Sequence, residues 1–281
     1  DGSFLLNQKH YIEEMAKRFK VSEESGVVAT PGVYGQKLTP EMLPKTDKEK
    51  IAAAMLPYQE LIGCLIYITK TRPDVAYAIS DCARFMSVWG VDHFKHAMRI
   101  LRYLYCTRDR NLHVTAQSDH AFELSCYCDA NYGDDRESER DEKWKSQGGY
   151  LVFLGGSLVS WKSRRHQSRS LSSMEAEYME ASEAAKEVVF FRTLLSELGY
   201  VFDKPTPIYE DNKACISFGK NNTCHERTKH IDIRAYAARD KVKSGEIELL
   251  HVDTKDQLAD MMTKTQLKNT FLRHTENTFA G

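Results

Sequence analysis

The chain has 281 residues, 42% of them apolar, which is enough for one large domain or two of ordinary size. Lys plus Arg (39) nearly balances Asp plus Glu (40), so net charge alone predicts no polyanionic partner, and a nucleic-acid surface must come from local clustering. No apolar run approaches the roughly 18 residues of a transmembrane helix, and seven scattered cysteines without a C-x-x-C pair indicate reduced thiols in an intracellular protein.

The chain opens on Asp1-Gly-Ser3 with no Met and no signal-peptide pattern, so we expect a piece of a longer protein that is not secreted. A short strand is predicted from Phe4, and apolar residues at helical spacing predict an amphipathic helix over residues 8–20. Residues 21–48 lose this period and hold several prolines and glycines, which predicts an extended connector.

Residues 49–115 are predicted to form a small helical domain. Thr71-Arg-Pro-Asp74 is typical of a break between two helices, because Thr71 can cap and Pro73 suits a first helical turn. A further helix over residues 93–105 has one basic face. Such a face is usually a solvated protein surface. The more specific alternative is a surface that binds the phosphates of a nucleic-acid duplex. Its basic residues are Lys95, Arg99 and Arg102, and Arg108 and Arg110 follow just beyond the helix.

The second half is predicted to open with antiparallel strands. Residues 122–129 alternate apolar and polar side chains and end on an acid, Asp129. After an exposed charged loop, two apolar runs flank Gly155-Gly156, so residues 150–161 are predicted to form a hairpin with a two-residue turn. A third run across residues 164–169 is predicted to be a basic corner.

A long helix is predicted from Ser172, whose pairing with Glu175 is a capping-box pattern, to a C-terminal Gly199. The helical period separates two glutamates. Glu175 lies opposite the apolar stripe and is explained by capping, whereas Glu177 lies within the stripe, where a carboxylate is costly unless it is paired or bound to metal. The stripe comprises Glu177, Ala181, Ala184, Val188, Phe191 and Leu195.

Two further acids stand at comparable positions, one at the end of a predicted strand and one near the start of a predicted helix. Asp211 ends a short strand and precedes a predicted helix over residues 212–220, so parallel neighbouring strands would place it beside Asp129. After a predicted helix over residues 227–243 and a strand over 246–252, Thr254-Lys-Asp-Gln257 matches a second capping box. We expect it to open a helix that carries Asp260 one turn in.

Four converging carboxylates are suited to divalent metal. Phosphodiester hydrolysis needs an activated water and charge stabilisation, which two Mg²⁺ ions held by hard oxygen ligands supply. No Ser-His-Asp order and no Walker-type phosphate loop stands out. A zinc site at Cys224, His225 and His230 is disfavoured, because no fourth ligand stands at a customary spacing.

Several segments in order resemble the carboxy-terminal part of copia-type retrotransposon polyproteins. Residues 58–69, 71–78 and 99–104 resemble the segment that joins reverse transcriptase to ribonuclease H. The segments that resemble the ribonuclease H domain itself are Cys128-Asp-Ala130, residues 145–150, 171–178, Asp211-Asn212, residues 227–234 and 257–260.

This resemblance covers nearly the whole chain and implies an α/β fold, a ribonuclease H-like five-stranded mixed sheet with flanking helices. Residues 1–20 would end the reverse transcriptase part, and residues 120–272 would form the ribonuclease H domain. It implies cleavage of RNA in RNA–DNA hybrids with two Mg²⁺ or Mn²⁺ ions. The polymerase domain would lie upstream, and the protein would act in a cytoplasmic virus-like particle or in the nucleus. By motif position the catalytic and metal-binding residues are Asp129, Glu177, Asp211 and Asp260.

The chain departs from the family pattern at two positions: Asn131 replaces a usual second Asp, and Thr265 replaces a usual proline. Tyr132-Gly-Asp-Asp135 imitates a polymerase motif, but it follows a strand instead of forming a hairpin tip, so we exclude a polymerase site. The alternative function is a catalytically silent nucleic-acid-binding or scaffolding module. A transposase or integrase is disfavoured, because those enzymes use three acids. Candidate contacts to the hybrid's phosphates are Arg164, Arg165, Arg169, Lys213 and Lys229.

Overall fold

The computed structural model describes residues 2–115, 122–133, 145–220 and 233–280, without the side chains of residues 233–237. Its first part is helical, as expected, and is closed by a two-stranded antiparallel pair in which Leu6 lies opposite Leu112. Its elements are β1 (Phe4–Leu6), α1 (Lys9–Arg18), α2 (Asp47–Ala54), α3 (Tyr58–Ile68), α4 (Ala76–Ala83), α5 (Val91–Cys106) and β2 (Leu112–Val114).

The predicted connector between α1 and α2 is irregular apart from two short 3₁₀ turns, Glu23–Ser25 and Pro40–Met42. It is nevertheless packed against the helices, because its side chains at Val21, Val28 and Leu38 are buried in the helical core. Burial of these apolar groups fixes the path of the connector over the helices.

The break before α4 differs from its prediction. Pro73 begins a 3₁₀ turn, but the residue at the cap position is Arg72, and no side chain caps the turn. Arg72 instead forms a buried ion pair with Asp74 at 2.7 Å, and the Tyr103 hydroxyl donates to the same carboxylate at 2.6 Å. Burial alone would raise the pKa of Asp74, but Arg72 and Arg110 hold it below its ordinary value. The segment is a structural ion-pair network.

The second part is built on the predicted five-stranded mixed sheet. Its strands are β3 (Leu124–Asn131), β4 (Gln147–Leu154), β5 (Ser157–Arg165), β6 (Thr206–Glu210) and β7 (Ile247–His251). Their order in the sheet is β5-β4-β3-β6-β7. Strand β4 is antiparallel to both β3 and β5, and β3, β6 and β7 run parallel. This combination of an antiparallel meander with two parallel strands is the expected ribonuclease H-like arrangement.

Strand β5 is longer than predicted. Its pairing with β4 continues to Arg165, which lies opposite Gln147, so Arg164 and Arg165 belong to the hairpin and do not begin a corner. The predicted turn at Gly155-Gly156 is present, and both glycines have positive φ. Beyond the hairpin, the structure contains α6 (Ser173–Glu197), α7 (Lys213–Lys220), α8 (Ile233–Lys243), α9 (Asp260–Thr263) and α10 (Lys268–Phe279).

Both faces of the sheet are covered. Helices α6, α7 and α8 pack on one face around Cys126, Val152 and Ile208, whereas α9 and α10 pack on the other around Leu151 and Met262. Helix α10 also contributes Phe271 to the core of the helical part. Among the described residues, no single helix is long and apolar enough to cross a membrane, and α2 with α3 meets that test only as a pair bent by 48°.

Candidate active site

Asp129 and Asp211 lie at the same edge of the sheet. Strands β3 and β6 are parallel with Tyr127 opposite Tyr209, so continuing this register by two residues brings the two acids side by side. On the other neighbour of β3, Gly149 pairs with Asp129. A Cβ on Gly149 would overlap the Met262 side chain, so glycine lets α9 approach the sheet at the level of Asp129.

Glu177 reaches this edge from α6. Its neighbours on the predicted stripe, including Ala181 and Val188, are fully buried against the sheet, which directs Glu177 inward. Its Oε2 accepts a hydrogen bond from the Ala130 backbone N–H at 2.6 Å. Glu175 forms half of the predicted capping box, since its backbone N–H donates to the Ser172 hydroxyl at 3.1 Å. Its carboxylate accepts from the Leu171 N–H at 2.7 Å instead of from the N–H of Ser172.

Asp129, Glu177 and Asp211 form one cluster, in which one carboxylate oxygen of each residue lies within 4.8 Å of the others. Asp129 and Glu177 are buried, and Asp211 is partly exposed. Three oxygen donors at this spacing, from three different elements and open to solvent on one side, fit a hard divalent cation. The donor set contains no cysteine or histidine, which is unlike a zinc cage.

Asp260 lies beside this cluster, but its approach differs from the prediction. Helix α9 begins at Asp260 itself, after a 3₁₀ turn over Thr254–Asp256. Gln257 does not complete a capping box. Its buried side-chain amide donates to the Cys128 carbonyl at 2.9 Å and to the Tyr209 carbonyl at 3.4 Å. The side chain therefore joins the ends of β3 and β6 next to the two strand-end acids.

Two side chains of the α9 segment contact the acids. The Thr263 hydroxyl donates a hydrogen bond to Asp129 Oδ2. The Lys264 ammonium lies 2.8 Å from Asp260 Oδ1 and 3.9 Å from Asp129 Oδ2. Both residues were missed by the sequence analysis, which considered only acids in this segment. Their place directly after Asp260 was the one available signal.

Burial dominates the electrostatics of the cluster. It raises the pKa of Asp129, and it raises the pKa of Glu177 well above its ordinary value with a further contribution from the Asp129 charge. Burial, with Asp129 second, raises the pKa of Asp260 to about 7. Burial alone would lower the pKa of Lys264, but Asp129 and Asp260 raise it overall. Acids that resist ionisation alone are typical of a site that receives cations.

A fifth acid, Glu210, also escaped the sequence analysis. It is fully buried, and its Oε1 accepts from the Asn212 N–H at 3.0 Å while the Cys128 thiol donates to its Oε2 at 3.4 Å. Burial raises its pKa well above the ordinary value, which favours the neutral form. The alternation of Thr206, Ile208 and Glu210 on the inward face of β6 was the signal that could have found it.

The candidate phosphate-contacting residues differ in their exposure and in their partners. Arg164 forms an ion pair with Glu183 and is partly buried, as is Arg165. Arg169 and Lys213 are exposed. Lys229 lies outside the described residues, as do Cys224, His225 and His230 of the disfavoured zinc site.

The basic residues on α5 and just beyond its end make several contacts within the protein. Arg110 pairs with the buried Asp74 at 3.1 Å, Arg108 lies 3.6 Å from Glu13, and Arg99 donates to the Thr30 hydroxyl at 3.3 Å. Lys95 is exposed and pairs with Asp92 on its own helix at 2.8 Å. These contacts favour the simpler of the two interpretations, a helix face that serves packing and solvation.

No family model matches the chain, but curated proteins are similar to it over 95% of its length. The Pol polyprotein from transposon TNT 1-94 of Nicotiana tabacum is 36% identical over 267 residues, 95% of this chain and 19% of the polyprotein. That from transposon RE1 of Arabidopsis thaliana is 31% identical over 270 residues, 95% and 17% respectively. The chain therefore spans about a fifth of the length of these curated relatives.

A shorter relative, secreted RxLR effector protein 161 of Plasmopara viticola, is 38% identical over 136 residues, 48% of this chain and 91% of that protein.

Among solved structures, the N-terminal RNase H domain of rv2228c from Mycobacterium tuberculosis aligns with 55% of this chain and 97% of its own, at 12% identity and a TM-score of 0.34. LC11-RNase H1 from compost aligns with 50% and 92%, at 14% identity and a TM-score of 0.38. The long matches, at 31–36% identity over 95% of the chain, identify it as a homologue of part of the copia-type Pol polyproteins of transposons.

Proposed function

We propose that this chain is a metal-dependent endoribonuclease that cleaves the RNA strand of RNA–DNA hybrids during reverse transcription of a retrotransposon. The observation that carries the proposal is the convergence of Asp129, Glu177 and Asp211 within 4.8 Å at one edge of a ribonuclease H-like sheet, with Asp260 alongside. Two strands and a helix far apart in sequence supply these acids, so their meeting is a property of the fold.

In this proposal the four acids hold two divalent ions, Mg²⁺ or Mn²⁺. When bound, such ions supply charge stabilisation for the attacking and leaving oxygens of a phosphodiester. The chain's own residues prepare the site. The Ala130 N–H orients the Glu177 carboxylate, and the Thr263 hydroxyl orients Asp129. Fixing the ligands in this way preserves the geometry of a metal site between turnovers.

The proposed substrate is an RNA–DNA hybrid, and the proposed covalent partner is a polymerase region upstream in the same polyprotein. The exposed Arg169 and Lys213 are the described candidates for contacting the hybrid's phosphates. The same proposal places the activity in a cytoplasmic virus-like particle or in the nucleus.

The decisive experiment is cleavage of an end-labelled hybrid by the full chain in Mg²⁺ and then Mn²⁺, with single-stranded RNA and duplex DNA as control substrates. We expect cleavage of the hybrid alone, and its loss in Asp211→Asn with the circular dichroism spectrum unchanged. Cleavage of duplex DNA would favour a transposase-like nuclease. A folded protein that binds the hybrid without cutting it would favour the silent binding module and overturn the enzymatic proposal.

A further inference from the structure

The Lys264 ammonium occupies a position where a cation would neutralise the charge of Asp260. Its ammonium lies 2.8 Å from Asp260 Oδ1 and 3.9 Å from Asp129 Oδ2, so it stands between these two acids. The set of mutually close ligand oxygens contains Asp129, Glu177 and Asp211 but not Asp260. Asp129 therefore belongs to two groups, the trio with Glu177 and Asp211 and the pair with Asp260 that Lys264 bridges.

This ion pair differs from an ordinary surface pair four residues apart on a helix. The side chains of Asp260 and Asp129 are only 10% and 4% exposed, so their charges are poorly screened by water. An ammonium shared by two buried carboxylates offsets a repulsion that would otherwise oppose their approach. Lys264 thus performs in the protein alone the neutralisation that a metal ion would perform.

The ammonium can leave without disturbing the fold. The Lys264 backbone is held, since its N–H donates to the Asp260 carbonyl at 3.1 Å, and the next residue, Thr265, packs against Gly32 of the connector. The side chain, by contrast, is 39% exposed. A fixed backbone with a partly exposed side chain allows the four-carbon stem to swing while α9 stays in place.

We propose that Lys264 is an internal substitute for the second metal ion. The protein alone binds one divalent ion at Asp129, Glu177 and Asp211, and a second ion enters between Asp129 and Asp260 only when the Lys264 ammonium moves out. The proposal rests on the proposed function, because it takes the same acids as metal ligands. A phosphate of the bound nucleic acid is the natural new partner for the displaced ammonium.

The test is titration of the full, metal-free chain with Mn²⁺, followed by electron paramagnetic resonance of the free ion and by calorimetry. We expect one tightly bound ion in the wild type. Lys264→Gln should strengthen binding of a second ion by at least about tenfold, because one competing positive charge is gone. Lys264→Arg, which keeps the charge, should resemble the wild type. Lys255→Gln removes an exposed lysine with the same change of net charge and should also resemble it.

A second readout does not depend on metal stoichiometry. In EDTA, Lys264→Gln should have a lower melting temperature than the wild type, because Asp129 and Asp260 lose their shared counter-charge. Mn²⁺ should then raise its melting temperature more than it raises that of the wild type. Lys255→Gln should show neither effect.

The outcomes separate this inference from the proposed function. Two ions of comparable affinity in the wild type, or an unchanged second site in Lys264→Gln, would overturn the role of Lys264. If Asp211→Asn still abolished binding of the first ion in that case, the metal site at Asp129, Glu177 and Asp211 would remain supported, and with it the proposed function. Failure of every variant to bind Mn²⁺ would remove both proposals together.

Discussion

The carboxylate of Glu177 accepts a hydrogen bond from the backbone N–H of Ala130, the residue that follows Asp129. This contact joins α6 to β3 at the centre of the candidate site. It means that the position of one acid is set directly by the strand that carries another. A carboxylate with a fixed orientation loses little conformational entropy when it binds an ion.

Glu177 and its neighbour Glu175 provide a matched pair. Glu177→Gln should lower hybrid cleavage more than about 100-fold by removing a ligand charge. Its free energy of unfolding in EDTA should stay the same or rise, because an amide oxygen can still accept from Ala130 while a buried charge is gone. Glu175→Gln should keep activity, since the amide can still accept from Leu171. Equal loss of cleavage in both variants would show that the helix start, and not the Glu177 charge, controls activity.

Thr263→Val tests whether Asp129 needs its hydroxyl partner. The substitution keeps the shape of the side chain and removes the hydrogen bond to Asp129 Oδ2. We expect the affinity for Mn²⁺ to fall about 10-fold or more, with a smaller effect on the melting temperature in EDTA. Calorimetric titration of Mn²⁺ measures the first effect. Unchanged affinity would mean that the hydroxyl does not orient the ligand.

The pH dependence of stability should have a definite sign. Burial raises the pKa of Asp129, Glu177 and Asp260, the last to about 7, above the unfolded values of about 4. Between these values the folded protein holds more protons, so these groups make the free energy of unfolding fall as the pH rises from about 4 to about 7. Glu210 contributes with the same sign. Melting in EDTA at a series of pH values measures the slope.

Divalent metal should oppose this loss. Its binding requires deprotonated carboxylates, so Mn²⁺ affinity should fall by up to about tenfold per pH unit, for each proton displaced, as the pH falls below the raised pKa values of the folded protein. The rise in melting temperature that Mn²⁺ causes should therefore be larger at about pH 8 than at about pH 5. Asp260→Asn should reduce the slope in EDTA. A metal effect that grew as the pH fell would contradict the carboxylate assignment.

Replacing glycine by alanine should change the free energy of unfolding in opposite directions at two positions, Gly148 and Gly63. Gly148 lies against a buried pair, His166 Nε2 and Glu180 Oε2 at 2.8 Å, and a Cβ there would overlap both groups. Gly148→Ala should cost about 3 kcal/mol or more in free energy of unfolding. Gly63 lies on the exposed face of α3 with nothing near its Cβ position, and Gly63→Ala should gain about 0.5–1 kcal/mol. Urea denaturation of both variants checks the contrast.

The buried network of the helical part should matter for stability but not for chemistry. Asp74→Ala leaves Arg72 buried without its carboxylate partner, and we expect a loss of about 3–5 kcal/mol. Lys50→Ala breaks an exposed pair with Asp47 and should cost less than about 1 kcal/mol. At a temperature where Asp74→Ala is still folded, its hybrid cleavage should equal that of the wild type.

Local chemistry explains what the sequence could predict. The hairpin at Gly155-Gly156 and the start of α6 at Ser172 depend on turn and cap residues that act within a few positions of each other. The choice of Glu177 over Glu175 followed from helical period. In the structure both side chains are buried, but Glu177 bonds Ala130 beside Asp129, whereas Glu175 bonds Leu171 at the helix start. Where one element determines the geometry, its sequence was sufficient.

The errors come from tertiary contacts. Gln257 has the spacing of a capping residue, but the carbonyls of Cys128 and Tyr209 at two strand ends take its amide instead. Arg164 and Arg165 have the composition of a loop, yet pairing with β4 keeps them in a strand. The bridge that Lys264 makes between Asp260 and Asp129 depends on two elements whose approach is set by packing. No local pattern encodes such contacts.

Phe271 of α10 packs in the core of the helical part, with its ring 5.9 Å from that of Tyr103. During translation, the helices between Lys9 and Cys106 therefore lack one of their core side chains until a segment far downstream leaves the ribosome. A nonsense mutation before Lys268 would leave the early core incomplete as well as the late one.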